Sequence, residues 1–190
     1  MRAAEEKKNG EMSVKRTLVY CAGLMAILFI WAIINAGVIP VLSLLQTALL
    51  ITLGYIAMIY DLNTKRIPNT LVLVMITGWF FLVMPMILIS PENGFVLLAD
   101  SLYGLLAGGG LFLLVYFISR KGLGGGDVKF MAAAGLYLGF TDTLPAILYG
   151  TVLAALTGLV LILLKKIGRK DTIPLVPFLL AGILIAVFTQ

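Results

Sequence analysis

Two aspartates stand at the edges of apolar stretches, where a carboxylate could do chemistry. Asp61 ends an uncharged apolar stretch and begins Asp-Leu-Asn-Thr-Lys-Arg-Ile-Pro-Asn (61–69), and Asp127 closes the glycine run 124–126 before another apolar stretch. An ionisable group at membrane depth is costly and marks a candidate functional site. Two carboxylates that can approach each other are the least that an acid–base hydrolase built on carboxylates needs.

If the two aspartates meet, electrostatics predicts how they share protons. Two unit charges about 4 Å apart repel by roughly 4 kcal/mol at an effective dielectric constant of about 20, so the pair should hold one proton near neutral pH. The ionised carboxylate can then deprotonate a water molecule while the protonated one polarises a scissile carbonyl. Which aspartate takes which part stays open, because the proton belongs to the pair.

The residue types that are missing narrow the chemistry further. The chain has no histidine and one cysteine, Cys21. These counts exclude an HExxH zinc site, a Ser–His or Cys–His pair, a CxxC zinc module and an internal disulfide. Carboxylates are therefore the plausible acid–base groups, and no cofactor or metal is expected.

The remaining sequence must place these aspartates in a membrane. Of the 190 residues 61% are apolar, and the mean hydropathy is +1.09. Because about 17–25 apolar residues suit a helix that crosses a bilayer core of about 30 Å, we predict an all-α, polytopic transmembrane helical bundle of about seven spans. The fifth span, which would end at the connector Thr141-Asp142-Thr143, and the seventh are short. The apolar runs fall near 18–36, 42–60, 70–89, 95–118, 127–141, 144–165 and 174–189.

The distribution of charge predicts which side of the membrane each connector occupies. With residues 1–17 as a cytoplasmic tail, alternating spans place all 14 lysines and arginines on the inner side. The outer connectors and the residues beside them then carry only the acids Glu92, Asp100 and Asp142. This pattern follows the positive-inside rule and puts both aspartates on the cytoplasmic face. It also explains the net charge of +5 without a nucleic-acid partner.

Each aspartate also has a purely structural interpretation. Asp61 could end its helix in a turn with Asn63, partly neutralised by the basic residues that follow. An acid is disfavoured at the negative end of a helix dipole, however, which favours a functional interpretation. Asp127 could be an ordinary helix N-cap that accepts backbone N–H groups. Pro174 and Pro177 are typical of the start of the last helix.

The neighbours of Asp127 suggest supporting roles. The consecutive glycines 124–126 would permit close backbone approach or unusual dihedral angles; a flexible inner loop is the alternative. Lys129 is two positions from Asp127, so the two side chains do not share a helix face. Lys129 would either anchor the chain at the inner leaflet or help to position substrate and tune the carboxylate pair.

At these residues the chain resembles the GxGD aspartic proteases of the membrane, specifically the type IV prepilin peptidase family with its archaeal preflagellin peptidases. The likeness rests on segment 61–69, on Gly-Leu-Gly-Gly-Gly-Asp-Val-Lys (122–129) followed by Ala-Ala-Gly (133–135), and more weakly on Ile-Pro-Leu-Val-Pro-Phe (173–178). The presenilin and signal peptide peptidase branch ranks behind, because it expects Pro-Ala-Leu where this chain has Ile-Pro-Leu. The likeness implies a six-helix peptidase core at 42–190, preceded by an extra helix and turn at 18–41.

The resemblance implies that Asp61 and Asp127 cleave class III signal peptides at the cytoplasmic face of the cell membrane, just before the hydrophobic helix of the substrate. The implied partners are prepilin-, pseudopilin- or preflagellin-like proteins and the lipid bilayer, and the oligomeric state stays open. Longer bacterial members carry paired CxxC motifs and N-methyltransferase activity, so with one cysteine we expect the peptidase alone. Candidates for substrate binding or loop support are Pro68, Asn69, Gly124, Gly125, Gly126 and Lys129.

Two other functions compete with a peptidase. The acids could form a proton or cation relay in a transporter, but relay acids usually lie near mid-membrane, whereas both aspartates are predicted at inner helix ends. A structural assembly partner is the third interpretation. The first alternative predicts proton-coupled flux without proteolysis, and the second predicts that Asn variants of both aspartates support pilus assembly normally.

Overall fold

The computed structural model describes residues 2–35, 40–119, 122–166, 168 and 173–189. None of these residues forms a strand, so the predicted all-α fold is confirmed. The chain divides into two compact units, Met1–Pro40 and Val41–Gln190. The helices are α1 (Arg2–Asn35), α2 (Val41–Thr64), α3 (Asn69–Ile89), α4 (Pro91–Ile118), α5 (Gly125–Leu163) and α6 (Val176–Phe188).

The first unit consists mainly of α1. Residues 2–17, expected as a polar tail, are helical and continue without a break into the apolar part, Val19–Asn35. The tail is rich in alanine, glutamate and lysine, which have high helix propensity. Asn35 ends the helix, and its side-chain amide donates to the carbonyl oxygen of Trp31 at 3.0 Å.

The second unit is built from membrane-spanning helices. Within the described part of the chain, α2, α3, α4 and α5 are long and apolar enough to cross a bilayer. Helix α6 has 13 residues and would rise about 20 Å, which agrees with the short seventh run. Large apolar side chains such as Phe81 and Ile118 are exposed, as expected where a helix faces lipid. The protein is therefore a multi-pass membrane protein.

Helix α5 consists of two arms joined at Gly139. This residue has φ 69° and ψ −176°, a combination that is open almost only to glycine. The predicted break at Thr141–Thr143 is therefore wrong: those residues are helical, and the chain turns two residues earlier. A sequence pattern of polar residues suggested the later position, but the backbone conformation that a sharp turn needs is available at the glycine.

The glycines of α4 show how the two arms run. Two glycines four residues apart in α4 each contact both arms. From the first glycine to the second, the contacted residue lies four positions earlier in the first arm of α5 and four positions later in the second arm. The first arm is thus antiparallel to α4, the second arm is parallel to it, and the chain reverses between them. Small residues allow this close helix approach in a membrane. The contacts are Gly104 with Gly135 and Gly139, and Gly108 with Met131 and Thr143.

The reversal is held by a carboxylate from α4. Asp100 Oδ1 accepts a hydrogen bond from the backbone N–H of Phe140 at 3.1 Å, the first residue of the second arm. The other carboxylate oxygen lies against Gly139, where any Cβ would overlap it. The Thr143 hydroxyl donates to the Gly139 carbonyl oxygen at 2.6 Å. Asp100 therefore caps the second arm from a different helix, as an N-cap side chain would.

Helix α6 brings its first turn to the end of α2. Gly54 of α2 lies against Leu180, and Asp61 lies against Val176, so the two helices run antiparallel. Pro177 is in the first turn of α6, as predicted, where the missing N–H of proline costs little. Pro174 was predicted there too, but it lies two residues before the helix. The end of α2 and the start of α6 therefore meet at one end of the bundle.

Candidate active site

Asp61 lies in the last turn of α2 and is only 5% exposed. The helix ends beside it because Lys65 adopts a positive φ of 50°, a common way to terminate a helix. The Asp61 Oδ2 atom accepts a hydrogen bond from the backbone N–H of Val176 at 3.0 Å. The unpaired N–H groups and positive end of α6 therefore offset the unfavourable position of an acid at the end of α2.

The structural interpretation of Asp61 as part of a turn with Asn63 is not observed. The Asn63 side-chain amide instead donates to the Ile59 carbonyl oxygen at 2.8 Å. The partner of the Asp61 carboxylate is 115 residues away in sequence. Its position is therefore fixed by tertiary packing.

Asp127 is the third residue of α5, so it is not the N-cap that an isolated Gly-Asp sequence would suggest. Its carboxylate folds back over Gly124, where a Cβ would lie 2.8 Å from Asp127 Oδ2. The backbone N–H of Asp127 donates to the Gly124 carbonyl oxygen at 3.1 Å. Glycine at position 124 thus leaves room for the carboxylate to lie against the backbone.

The structure brings the two aspartates to the same cavity, which has a volume of about 390 Å³. A second cavity of about 300 Å³ also touches both carboxylates, on the side of Ile67 and the glycine run. An acid–base reaction needs both carboxylates to reach one substrate group, and a shared cavity offers that. The larger cavity is lined by Asp61, Lys65, Gly122, Leu123, Gly124, Asp127, Ile173, Pro174 and Leu175.

The three predicted glycines differ in what surrounds them. A Cβ at Gly126 would lie 3.3 Å from the Ile67 Cβ, whereas a Cβ at Gly125 would meet nothing within 4 Å. None of the three has a positive φ. Close approach at Gly124 and Gly126, rather than an unusual dihedral angle, therefore accounts for two of these glycines.

Lys129 links the start of α3 to the start of α5. Its ammonium group donates to Asn69 Oδ1 at 2.9 Å, close to the point where Ile67 approaches Gly126. Pro68 is extended and directly precedes α3, and its carbonyl oxygen accepts from the Leu71 N–H at 3.1 Å. None of Pro68, Asn69 and Lys129 lines either cavity that contacts the aspartates. Pro68 and Asn69 instead line a separate cavity of about 700 Å³.

Nine residues of the site were not among the candidates that the sequence analysis named for it. Val176 binds the Asp61 carboxylate. The other eight line the cavities: Lys65, Arg66, Ile67, Gly122, Leu123, Ile173, Pro174 and Leu175. The weak match at 173–178 pointed to the start of α6, but nothing in it indicated a hydrogen bond to Asp61. Among the described residues, no group of three or more histidines, cysteines or acids is placed to hold a metal ion.

Comparison with known proteins decides the family. Residues 47–163, more than half of the chain, match the type IV leader peptidase family. The chain belongs to this family. The match includes both aspartates and the glycine run, whereas the cavity residues Ile173, Pro174 and Leu175 lie after its end.

Several curated relatives of this type IV leader peptidase are named prepilin leader peptidase/N-methyltransferase. The protein from Bacillus subtilis (strain 168) is 33% identical over 153 residues, which are 76% of this chain and 56% of the relative. The Escherichia coli (strain K12) protein is 32% identical over 125 residues, 63% of this chain and 51% of the relative. The Neisseria gonorrhoeae protein is 32% identical over 152 residues, which are 77% of this chain and 46% of the relative.

The chain thus spans about half the length of these curated relatives. No solved structure matches it.

Proposed function

We propose that this protein is an aspartic endopeptidase that cleaves the leader peptide of type IV prepilin-like or preflagellin-like proteins, with Asp61 and Asp127 as the catalytic pair. The observation that carries the proposal is the shared cavity: two carboxylates from different helices line it together. Family membership supports the class of substrate. The proposal is limited to peptidase activity, because paired CxxC motifs need four cysteines and this chain has one.

The chemistry follows from two carboxylates that share one proton. The ionised carboxylate takes a proton from a water molecule, whose oxygen attacks the scissile carbonyl carbon. The protonated carboxylate donates a hydrogen bond to the carbonyl oxygen as negative charge develops there. Collapse of the tetrahedral intermediate breaks the C–N bond, and the proton first taken from water passes to the leaving amine. The Val176 N–H keeps the Asp61 carboxylate in one orientation meanwhile.

A cytoplasmic location is proposed from the charges near the cavity. Lys65 and Arg66 follow α2, and Lys165 and Lys166 follow the second arm of α5, which ends at the same end of the bundle as α4. Glu92 belongs to the opposite end. This asymmetry supports an inner-face site by the positive-inside rule. Arg120, Lys121, Arg169 and Lys170 belong to the same charge argument and lie outside the described residues.

The test is cleavage of a membrane-anchored substrate that has a basic leader followed by an apolar segment of about 20 residues. Asp61→Asn and Asp127→Asn should each lower kcat by at least about a hundredfold, because each removes a general acid–base group. Asp100→Asn is the matched control: it changes another carboxylate of the membrane helices that does not line the cavity.

Two results would contradict the proposal. Full activity in either cavity variant would remove the catalytic role of that aspartate. Proton flux into reconstituted vesicles, with no cleavage of the substrate by the unmodified protein, would favour the relay function instead. Both aspartates lie at helix ends on one end of the bundle, which supports the peptidase over a relay.

The Lys129–Asn69 hydrogen bond is proposed as a positioning contact for Asp127. Lys129→Met and Asn69→Ala should each lower kcat about tenfold with little change in KM, on the scale of a hydrogen bond to a charged group. The double variant should be no worse than either single variant, since both remove the same contact. Lys166→Met controls for loss of positive charge at this end of the bundle, and additive losses would contradict a shared role.

A further inference from the structure

A small apolar hollow adjoins the aspartate cavity. Its volume is about 80 Å³. The hydroxyl group of Thr151, the one polar side chain in its wall, donates to the Ile147 carbonyl oxygen at 2.7 Å, which satisfies it within its own helix. The hollow is lined by Leu111, Phe112, Val115, Leu123, Thr151 and Leu175.

Two of these side chains are shared between the hollow and the aspartate cavity. Leu123 and Leu175 line both spaces. Leu123 directly precedes Gly124, over which the Asp127 carboxylate lies, and Leu175 directly precedes Val176, which binds the Asp61 carboxylate. The wall that the hollow shares with the aspartate cavity is therefore one residue from the backbone contact of each aspartate.

The hollow also borders the surface that faces the bilayer. Leu111 and Val115 of α4 are 40% and 43% exposed, and the exposed faces of these transmembrane helices meet lipid. A substrate with an apolar segment in the bilayer would arrive from this side. Once its scissile carbonyl is at the aspartates, the residues that flank it follow at about 3.8 Å per Cα step, so their side chains lie beside Leu123 and Leu175, which line both spaces.

We propose that this hollow is a specificity subsite for an apolar side chain of one of the two substrate residues that flank the cleaved bond. The inference rests on the proposed peptidase function. The volume of the hollow is roughly half that of an engineered cavity of about 150 Å³ that takes up benzene, so it suits a branched aliphatic side chain such as that of valine or leucine. Filling an apolar hollow that water enters unfavourably supplies the binding energy.

The experiment varies the substrate and the hollow together, using the full chain in detergent or lipid nanodiscs. Alanine, valine, leucine and phenylalanine are placed in turn at each residue that flanks the cleaved bond of the membrane-anchored substrate. At one of the two positions, leucine should exceed alanine in kcat/KM by tenfold or more, since each buried methylene contributes about fourfold. This ratio does not depend on how much of the enzyme is folded.

Two variants should change that ratio in opposite directions. Val115→Phe fills the hollow and should reduce the leucine-to-alanine ratio to within about threefold, while alanine substrates are still cleaved. Leu111→Ala enlarges it and should raise cleavage of the phenylalanine substrate relative to leucine. Val152→Phe is the matched control, because Val152 is 47% exposed beside Thr151 and does not line the hollow.

The outcomes separate failure of the subsite from failure of the proposed function. If the unmodified protein cleaves the substrates but Val115→Phe and Leu111→Ala keep its side-chain ranking, the subsite is excluded. A change of equal size for every substrate also excludes it, since that is the effect of a lipid-filled or purely structural void. If the unmodified protein cleaves none of the substrates, the peptidase function fails, and the subsite fails with it.

Discussion

Asp61 and Asp100 make the same kind of hydrogen bond at two different places in the bundle. Each carboxylate accepts a backbone N–H at the start of another helix: Asp61 from Val176 at 3.0 Å and Asp100 from Phe140 at 3.1 Å. In both cases an acid on a long membrane helix compensates unpaired N–H groups of a helix that begins beside it.

The surroundings of the two carboxylates differ. Asp61 lines a cavity together with Asp127, whereas Asp100 lies against the backbone of Gly139, where even a Cβ would overlap it. Asp61 therefore has open space and a second acid beside it, whereas the carboxylate of Asp100 is packed against backbone. A capped helix start explains how a membrane carboxylate is stabilised, whereas the free space and the second acid beside Asp61 support the catalytic role proposed for it.

The largest expected effect is the loss of activity in Asp61→Asn, which should occur without a loss of stability. Asparagine is as good an N-cap residue as aspartate, so Asp61→Asn should keep thermal unfolding in detergent nearly unchanged while kcat falls by at least about a hundredfold. Asp100→Asn should leave both quantities nearly unchanged. A large drop in unfolding temperature for Asp61→Asn would mean that lost activity reports lost structure.

The next effect concerns the turn that Asp100 holds. Gly139→Ala should destabilise the protein by about 2–3 kcal/mol, because alanine must adopt a strained positive φ and its Cβ would overlap Asp100. Gly110→Ala is the control: a Cβ there would meet nothing within 4 Å, and alanine in a helix interior should add about 0.5–1 kcal/mol. Equal unfolding midpoints for the two variants in denaturant titrations would contradict the strained turn.

The smallest effect is expected when the capping carboxylate of Asp100 is removed. Asp100→Ala should lower the free energy of unfolding by about 1 kcal/mol, since Phe140 loses its acceptor, while kcat on the leader-peptide substrate stays within about twofold. Asparagine at the same position should restore the stability. A loss of activity in Asp100→Ala that exceeds its loss of folded protein would give Asp100 a role beyond that of a cap and would weaken the contrast with Asp61.

The amino-acid sequence alone determined the membrane class, the all-α fold and the two aspartates worth testing. Apolar run length indicates a transmembrane helix, and an acid beside such a run is conspicuous because its burial is costly. The short last helix also follows from run length. These features are local in sequence, which is why they could be predicted without a structure.

Only the tertiary structure decided what each acid touches. Asp61 meets Val176 across 115 residues, Lys129 meets Asn69 across 60, and Asp100 meets Phe140 across 40. The sequence analysis grouped Asp100 with the outer connectors and predicted the turn at residues 141–143. Polar residues indicate a connector, but they do not reveal which backbone conformation its turn adopts. Hydrogen bonds between helices depend on their packing, and in a membrane that packing is set by small residues and shape rather than by hydrophobic pattern.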